Sequence, residues 1–251
     1  MNKISTATVL IGLSVCCVII VFILPPIPQD LSYHHFADTR KIFGISNFYN
    51  VISNLPFLIL GLLGLFLFLR KNELTFSSIS VLTLCVGITG IGIGSACYHF
   101  NPSNSTLVWD RIPMTITFMS FFSIILSNYV NQRWGSLILF PLLLIGIASV
   151  FSWYIGEKAG VGDLRLYALV QFYPMVFIPL IIFLYPTPKS IRIEIFGVIV
   201  LYVIAKIFER QDFAVYNTTK IISGHSIKHL FASGSILSIL IMIKKKILVK
   251  S

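Results

Sequence analysis

Charged residues are scarce in this chain. Of its 251 residues, 11% are charged and only nine are acidic, whereas a soluble domain usually has about 25% charged residues. Hydrophobic residues make up 56% of the chain, and the mean hydropathy is +0.90. Neither a soluble domain nor a low-complexity linker separates the apolar stretches. This composition excludes an ordinary soluble protein and predicts a polytopic membrane protein.

Cysteine is also too sparse and too scattered to support a cysteine-based site. The four cysteines lie inside apolar stretches, at Cys16, Cys17, Cys85 and Cys97. No Cys-x-x-Cys pair is present, and such pairs are typical of thiolate zinc sites and redox centres. The sequence therefore predicts neither a disulfide framework nor a thiolate metal site.

Eight apolar stretches are long enough to cross a bilayer, which takes about 20 residues as a helix. They cover residues 7–24, 49–69, 76–99, 107–128, 135–154, 165–184, 193–209 and 222–243. Their length favours helices over the short alternating strands of a membrane barrel. We therefore predict an all-α membrane bundle, with one N-terminal transmembrane helix in residues 1–28 and a seven-helix domain in residues 29–251.

The first stretch could be either a retained helix or a cleaved signal peptide. It follows a basic start and resembles the apolar region of a signal peptide, but Pro25, Pro26 and Pro28 come after it in place of a small-residue cleavage site. We interpret it as a retained helix and keep the signal peptide as the alternative.

Five polar residues fall at the ends of apolar stretches, where ionisable groups are costly. Ser95 and His99 end the third stretch, Asp110 begins the fourth, and His225 and His229 begin the eighth. Short connections make consecutive helices antiparallel. Alternation then places all five residues near one membrane face, which predicts a single site.

The spacing of these residues indicates metal chemistry. His225 and His229 are four residues apart, so both can reach one ion from one helical face. With His99 as a third ligand, they match a catalytic zinc site that keeps an open position for water. Asp110 could orient or deprotonate that water, and Ser95 could donate a hydrogen bond to a developing oxyanion. One such histidine alone is usually interfacial or hydrogen-bonded, so the prediction depends on all of them converging.

Other polar residues receive structural interpretations. Asn50 and Asn54 share a helical face, and we expect them to form hydrogen bonds between helices. The adjacent pair His34–His35 is expected in an interfacial loop. Arg111 and Lys228 are expected to extend toward the headgroups, as long cationic side chains at helix ends commonly do.

Four motifs together resemble one family. They are Asn47-Phe48-Tyr49-Asn50-Val51-Ile52-Ser53-Asn54, Gly94-Ser95-x-x-Tyr98-His99, Asp110-x-x-Pro113-Met114 and His225-x-x-x-His229. In this order they resemble the alkaline ceramidase family, which belongs to the CREST superfamily of membrane hydrolases. The resemblance covers about residues 38–243 and seven helices, so the first helix is an addition to the family core.

The resemblance implies a zinc-dependent amidase that cleaves the N-acyl bond of ceramide or a similar sphingolipid. On this basis His99, His225 and His229 match the zinc ligands, and Ser95 and Asp110 match the catalytic serine and aspartate. The partner would be a membrane lipid substrate, and no nucleic-acid partner is expected.

The calcium site of eukaryotic alkaline ceramidases is not expected here. In that family, an acidic segment before the first core helix and a glutamate at its start supply the ligands. Here the glutamate position is Asn47, and the acidic segment is reduced to Asp38 near Arg40 and Lys41. Ca²⁺ is therefore a doubtful cofactor.

Two alternatives remain open from the residues alone. The same chemistry could act on an ester bond in another acylated lipid. The polar cluster could instead belong to a receptor or transporter in which the zinc is structural. A panel of lipid substrates distinguishes ester hydrolysis from amide hydrolysis. Ligand binding without turnover would favour the receptor or transporter over the enzyme.

The basic residues predict the orientation of the bundle, because cytoplasmic loops carry an excess of Lys and Arg. The face opposite the site holds Lys3, Arg70, Lys71, Arg133, Lys189, Arg192, Lys244, Lys245, Lys246 and Lys250. The site face holds Arg40, Lys41, Lys158, Arg165, Arg210 and Lys220. The larger cluster favours a cytoplasmic position for the opposite face. The site is then expected on the extracytoplasmic or lumenal side.

Overall fold

The chain folds into a helical bundle. A computed structural model describes residues 3–70 and 76–249; it is 82% helical, and these residues contain no strand. The helices are α1 Lys3–Ile23, α2 Phe48–Ile52, α3 Leu55–Leu69, α4 Phe76–Phe100, α5 Asn104–Ile125, α6 Gln132–Leu137, α7 Leu139–Lys158, α8 Arg165–Leu184, α9 Lys189–Arg210, α10 Asp212–Thr219 and α11 Gly224–Val249. The predicted all-α class is confirmed.

Seven segments of the described chain are long and apolar enough to cross a membrane. They are Thr6–Ile23, Phe48–Leu69, Ser78–Phe100, Asn104–Val130, Gln132–Lys158, Arg165–Leu184 and Gly224–Lys245. Each coincides with a predicted stretch, so the protein is an integral multi-pass membrane protein. Three of the segments are not single regular α-helices, because α2 breaks before α3, a π-turn at Leu126–Val130 ends α5, and α6 breaks before α7.

The remaining predicted stretch, residues 193–209, corresponds to α9, which differs in composition. This helix has 22 residues but carries six charged ones, three near each end, so it is not among the seven apolar segments. Its acidic residues pair within the bundle: Glu194 contacts Lys245, and Glu209 contacts Lys206 and Lys228. The helix packs along α11, where these pairs offset the cost of burying its charges.

The first helix packs against the bundle through α8. The Ser14 hydroxyl lies 2.6 Å from the Tyr173 hydroxyl, and Leu10 is buried in the main hydrophobic cluster. Most other side chains of α1 face outward. Lys71 and Lys250 belong to the basic residues predicted for the cytoplasmic face, and both lie outside the described residues.

Two local features hold α4 against α5 at the site end. Ser103 caps α5: its hydroxyl accepts from the Thr106 amide at 3.2 Å, and its own amide donates to the Thr106 hydroxyl at 3.1 Å. Gly94 lies so close to α5 that a Cβ there would collide with the carbonyl of Trp109. The glycine therefore allows the close approach that sets Ser95 beside Asp110.

Candidate metal centre

Three histidines from two distant parts of the chain meet in the interior. His99 comes from the last turn of α4, and His225 and His229 come from the first turns of α11. One ring nitrogen from each lies within 4.8 Å of the others, and all three residues are buried. Neutral imidazole nitrogens are preferred zinc ligands. This is the convergence that alternating helices predict, and the cluster could bind a metal ion.

One pair of ring nitrogens already has the separation that zinc requires. Nε2 of His99 and Nε2 of His229 are 3.2 Å apart. Two nitrogens bound tetrahedrally at about 2.0–2.1 Å lie roughly 3.3 Å from each other. The donor set and this spacing fit zinc. The ring nitrogen of His225 lies within 4.8 Å of the ligand nitrogens of His99 and His229.

Ser53 fixes the ring of His229. Its hydroxyl donates to the Asn50 carbonyl at 3.1 Å and lies 2.7 Å from Nδ1 of His229. A hydroxyl has one proton to donate, so when it donates to Asn50 it acts as the acceptor toward His229. In that arrangement Nδ1 of His229 carries the proton, and the lone pair of Nε2 faces His99. This matches the outer hydrogen bond that metal-bound histidines commonly make.

Ser95 and Asp110 lie together on α4 and α5. Both are buried, at 3% and 7% exposure, and the Ser95 hydroxyl interacts with the Asp110 carboxylate. Lys228, next to the histidines on α11, is within electrostatic range of Asp110. The five predicted residues therefore occupy the same end of the bundle.

Asparagines connect the centre to its neighbours. The side chain of Asn47 donates to the His99 carbonyl at 2.8 Å, and Oδ1 of Asn50 accepts from the Ser226 hydroxyl at 2.7 Å. The predicted hydrogen bonding between helices is confirmed for Asn50. For Asn54 it is wrong, because its amide donates to the Asn50 carbonyl within the same segment.

Lys228 was expected to extend toward the headgroups, and this prediction is wrong. Its ammonium donates to Glu209 at 2.7 Å and to Nε2 of His225 at 3.1 Å. A half-buried carboxylate on α9 holds the ammonium inside the bundle, which outweighs the gain from reaching the interface. A metal bound through this nitrogen of His225 would require that hydrogen bond to give way.

Arg111 was also expected at the interface and is instead buried at 5% exposure. Its guanidinium carbon lies 4.1 Å from the ring centre of Trp153 and 4.6 Å from that of Tyr167. Nη2 donates to Oε1 of Gln29 at 2.6 Å. Stacking on aromatic faces stabilises a guanidinium inside a protein, which is why this arginine points inward.

Sequence reasoning missed two residues that enclose the centre. The ring of Phe36 lies with its centre 4.7 Å from those of both His99 and His225. Oδ1 of Asp212 accepts from the His225 amide at 2.7 Å, and Oδ2 accepts from the Ala37 amide at 2.9 Å. Asp212 therefore ties the loop that carries Phe36 to the start of α11. An acidic residue shortly before the last apolar stretch was the available signal.

The loop between α1 and α2 carries Asp38, which was considered as a remnant of a calcium site, and the pair His34–His35. Both oxygens of the buried Asp38 carboxylate accept from Arg40, at 2.8 Å and 2.6 Å. His34 bridges the Tyr98 hydroxyl and the Asn104 side chain, each at 2.9 Å. The hydroxyl of Tyr33 donates to Glu209 at 3.2 Å, and burial keeps the pKa of this tyrosine well above its usual value.

An apolar groove opens beside the centre on the outer surface of the bundle. Its volume is about 330 Å³. It is lined by Tyr49, Ile52, Ser53, Leu55, Pro56, Ile59, Ile222, Ser226 and Leu230. Ser53 belongs to the groove and also contacts His229, so the groove adjoins the candidate metal centre.

Comparison with known proteins agrees with the motifs. A search of curated proteins gave no match. A family model described as Ceramidase matches residues 42–246, which is most of the chain and includes all five predicted site residues. The chain therefore belongs to the ceramidase family.

Proposed function

We propose that the protein is a zinc-dependent amidase that hydrolyses the N-acyl bond of ceramide or a similar sphingolipid. The products are a fatty acid and a sphingoid base. The observation that carries the proposal is the buried cluster of His99, His225 and His229 in a chain of the ceramidase family. Ionisable groups inside a membrane bundle are costly and commonly mark a functional site.

The three histidines would hold the zinc through ring nitrogens. When bound, zinc lowers the pKa of a coordinated water toward about 7 and polarises a carbonyl group. Ser53 supports this arrangement, because its contact with Nδ1 leaves Nε2 of His229 to face His99. Phe36 covers two of the rings and limits the access of bulk water.

Asp110 and Ser95 would carry the proton transfers and the charge stabilisation. Asp110 removes a proton from the water as its oxygen forms a bond to the amide carbon. The developing oxyanion accepts a hydrogen bond from the Ser95 hydroxyl, which turns from Asp110 toward it. The carbon–nitrogen bond then breaks, and Asp110 returns the proton to the departing amine.

The groove beside Ser53 would hold the acyl chain of the substrate. It is apolar, faces the lipid region and adjoins His229 through one serine. A Leu230→Trp variant fills it and is expected to slow hydrolysis of long-chain substrates more than short-chain ones. Leu237→Trp is the matched control, because Leu237 has nearly the same exposure on the same helix and does not line the groove. Equal effects of both variants would contradict this placement.

The orientation follows from the charges. The site would face the extracytoplasmic or lumenal side, because the larger basic cluster lies at the opposite end of the bundle. Cysteine labelling of Lys158→Cys in sealed vesicles tests this, with labelling from the extracytoplasmic side expected.

Purified protein provides the main test. We expect about one zinc per chain by elemental analysis and release of fatty acid from ceramide. A His225→Ala/His229→Ala double variant is expected to lose both, and His35→Ala, an exposed histidine of the neighbouring loop, is expected to keep both. Full hydrolysis by the double variant would refute the proposal. A panel of matched amide and ester lipids identifies the bond that is cleaved.

A further inference from the structure

Arg111 is a buried cation without an anionic partner among the described residues. Its Nη1 atom is buried and has no hydrogen-bond partner there. No carboxylate of the described chain lies within ion-pairing distance of it, in contrast to Lys228, which pairs with Glu209. An unpaired charge inside a protein is costly. The aromatic rings offset part of that cost and leave one edge of the guanidinium unsatisfied.

The two neighbouring carboxylates are engaged elsewhere. Asp110 interacts with the Ser95 hydroxyl. The Glu157 carboxylate accepts a hydrogen bond from the backbone amide of Gln29 at 2.7 Å and another from the Trp153 indole at 3.1 Å. Neither carboxylate forms an ion pair or a hydrogen bond with Arg111 in the described chain, so an anion from outside it would complete the surroundings of Nη1.

The position of Arg111 connects it to the reaction. It follows Asp110 directly and lies within electrostatic range of that carboxylate. Its guanidinium carbon is 6.0 Å from the ring centre of Tyr33, whose hydroxyl donates to Glu209. Glu209 in turn contacts Lys228, which contacts His225. Arg111 therefore belongs to the same polar cluster as Asp110, Tyr33, Glu209 and Lys228, and this cluster adjoins His225.

We propose that Arg111 binds a phosphate or carboxylate on the headgroup of the N-acyl lipid, which makes an acidic lipid the preferred substrate over neutral ceramide. This inference rests on the proposed function. In an N-acyl sphingolipid the headgroup is attached to the carbon next to the one that bears the amide nitrogen. An amide held at the histidines therefore carries its headgroup toward the polar cluster that contains Asp110 and Arg111. The planar guanidinium suits phosphate and carboxylate groups.

The test compares two lipids with the same acyl chain, ceramide 1-phosphate and ceramide, in detergent micelles with the full chain. The wild-type protein is expected to bind and hydrolyse the phosphorylated lipid better. Arg111→Gln is expected to weaken binding and lower kcat/KM for that lipid by about tenfold to a hundredfold, and to lower kcat/KM for ceramide by much less. Arg111→Lys keeps the positive charge but lacks the planar, two-pronged guanidinium. Its kcat/KM for the phosphorylated lipid is expected to lie between the values of the wild-type protein and Arg111→Gln. Lys158→Gln is the control, because Lys158 is an exposed cation over the Tyr154 ring at the same end of the bundle.

Three outcomes would overturn the inference. The first is an equal loss of kcat/KM on both lipids in Arg111→Gln, and the second is a wild-type protein that does not prefer the phosphorylated lipid. The third is an Arg111→Gln variant that keeps the wild-type lipid preference but is inhibited less by free fatty acid. The last would assign Arg111 to the carboxylate of the product instead. Hydrolysis of ceramide alone refutes the headgroup assignment and leaves the proposed function standing. Binding of the phosphorylated lipid through Arg111 without hydrolysis of any lipid refutes the proposed function and supports the headgroup assignment.

Discussion

Ser53 offers a sharp test of the candidate metal centre, because it contacts a proposed ligand without being one itself. In Ser53→Ala, Nδ1–H of His229 loses the acceptor that lies 2.7 Å away. A buried donor without a partner costs about 1–3 kcal/mol. Ser53 is half-buried and lines the groove, so water replaces part of the lost contact. Loss of an outer hydrogen bond typically weakens metal binding by about tenfold to a hundredfold, and we expect the lower part of this range.

Zinc affinity is measured directly in a competition titration with a chromophoric chelator, independently of turnover. Ser53→Thr keeps the hydroxyl and is expected to bind zinc like the wild-type protein. Ser233→Ala is the matched control, since Ser233 is a buried serine one turn beyond His229 whose hydroxyl donates to the Leu230 carbonyl at 2.8 Å. Wild-type zinc affinity in Ser53→Ala would refute the role assigned to this hydroxyl in fixing the His229 tautomer.

Three further predictions follow from contacts near the centre. Gly94→Ala is expected to lose most hydrolysis while keeping zinc, because the added methyl group collides with the Trp109 carbonyl and separates α4 from α5; activity and zinc content measured on one preparation check this. Asp212→Asn keeps one acceptor and is expected to lower the thermal midpoint less than Asp212→Ala, which frees the amides that the carboxylate holds. Lys228→Gln is expected to raise zinc affinity by removing a cation and a competing donor from His225, whereas Glu209→Gln lowers it by releasing that cation toward the ion.

The outcomes that would contradict these predictions differ. Normal activity in Gly94→Ala would show that the helices can separate without consequence for the reaction. Equal thermal midpoints for the two Asp212 variants would show that the acceptor oxygen kept by asparagine does not contribute to stability. Zinc affinities that change in the same direction for Lys228→Gln and Glu209→Gln would show that the ammonium does not compete with the metal.

The bundle and the meeting of the histidines could be predicted because both depend on simple regularities. Apolar length defines the spans, and alternation of short-looped helices brings His99 to the same end as His225. The fates of Arg111 and Lys228 could not be predicted in this way. Each is turned inward by a partner far away in sequence, an aromatic pair on α7 and α8 in one case and Glu209 in the other. Charge at a helix end does not reveal whether such a partner exists.

The mixed character of α9 illustrates the same limit. Its charges exclude it from the apolar segments, yet Glu194 and Glu209 find cations on α11 and on α9 itself. Pairing of this kind depends on which helix lies alongside, and the composition of a single stretch does not contain that information.

The arrangement of the histidines also has a consequence for biosynthesis. His99 and His229 are 130 residues apart, and two of the three nitrogens belong to the last helix. A nascent chain can place α1 to α9 in the bilayer and still hold only one of these histidines. The candidate metal centre can therefore assemble only after α11 has been synthesised and inserted, so on the proposed function incomplete chains would be unable to attack the lipids of the membrane in which they are made.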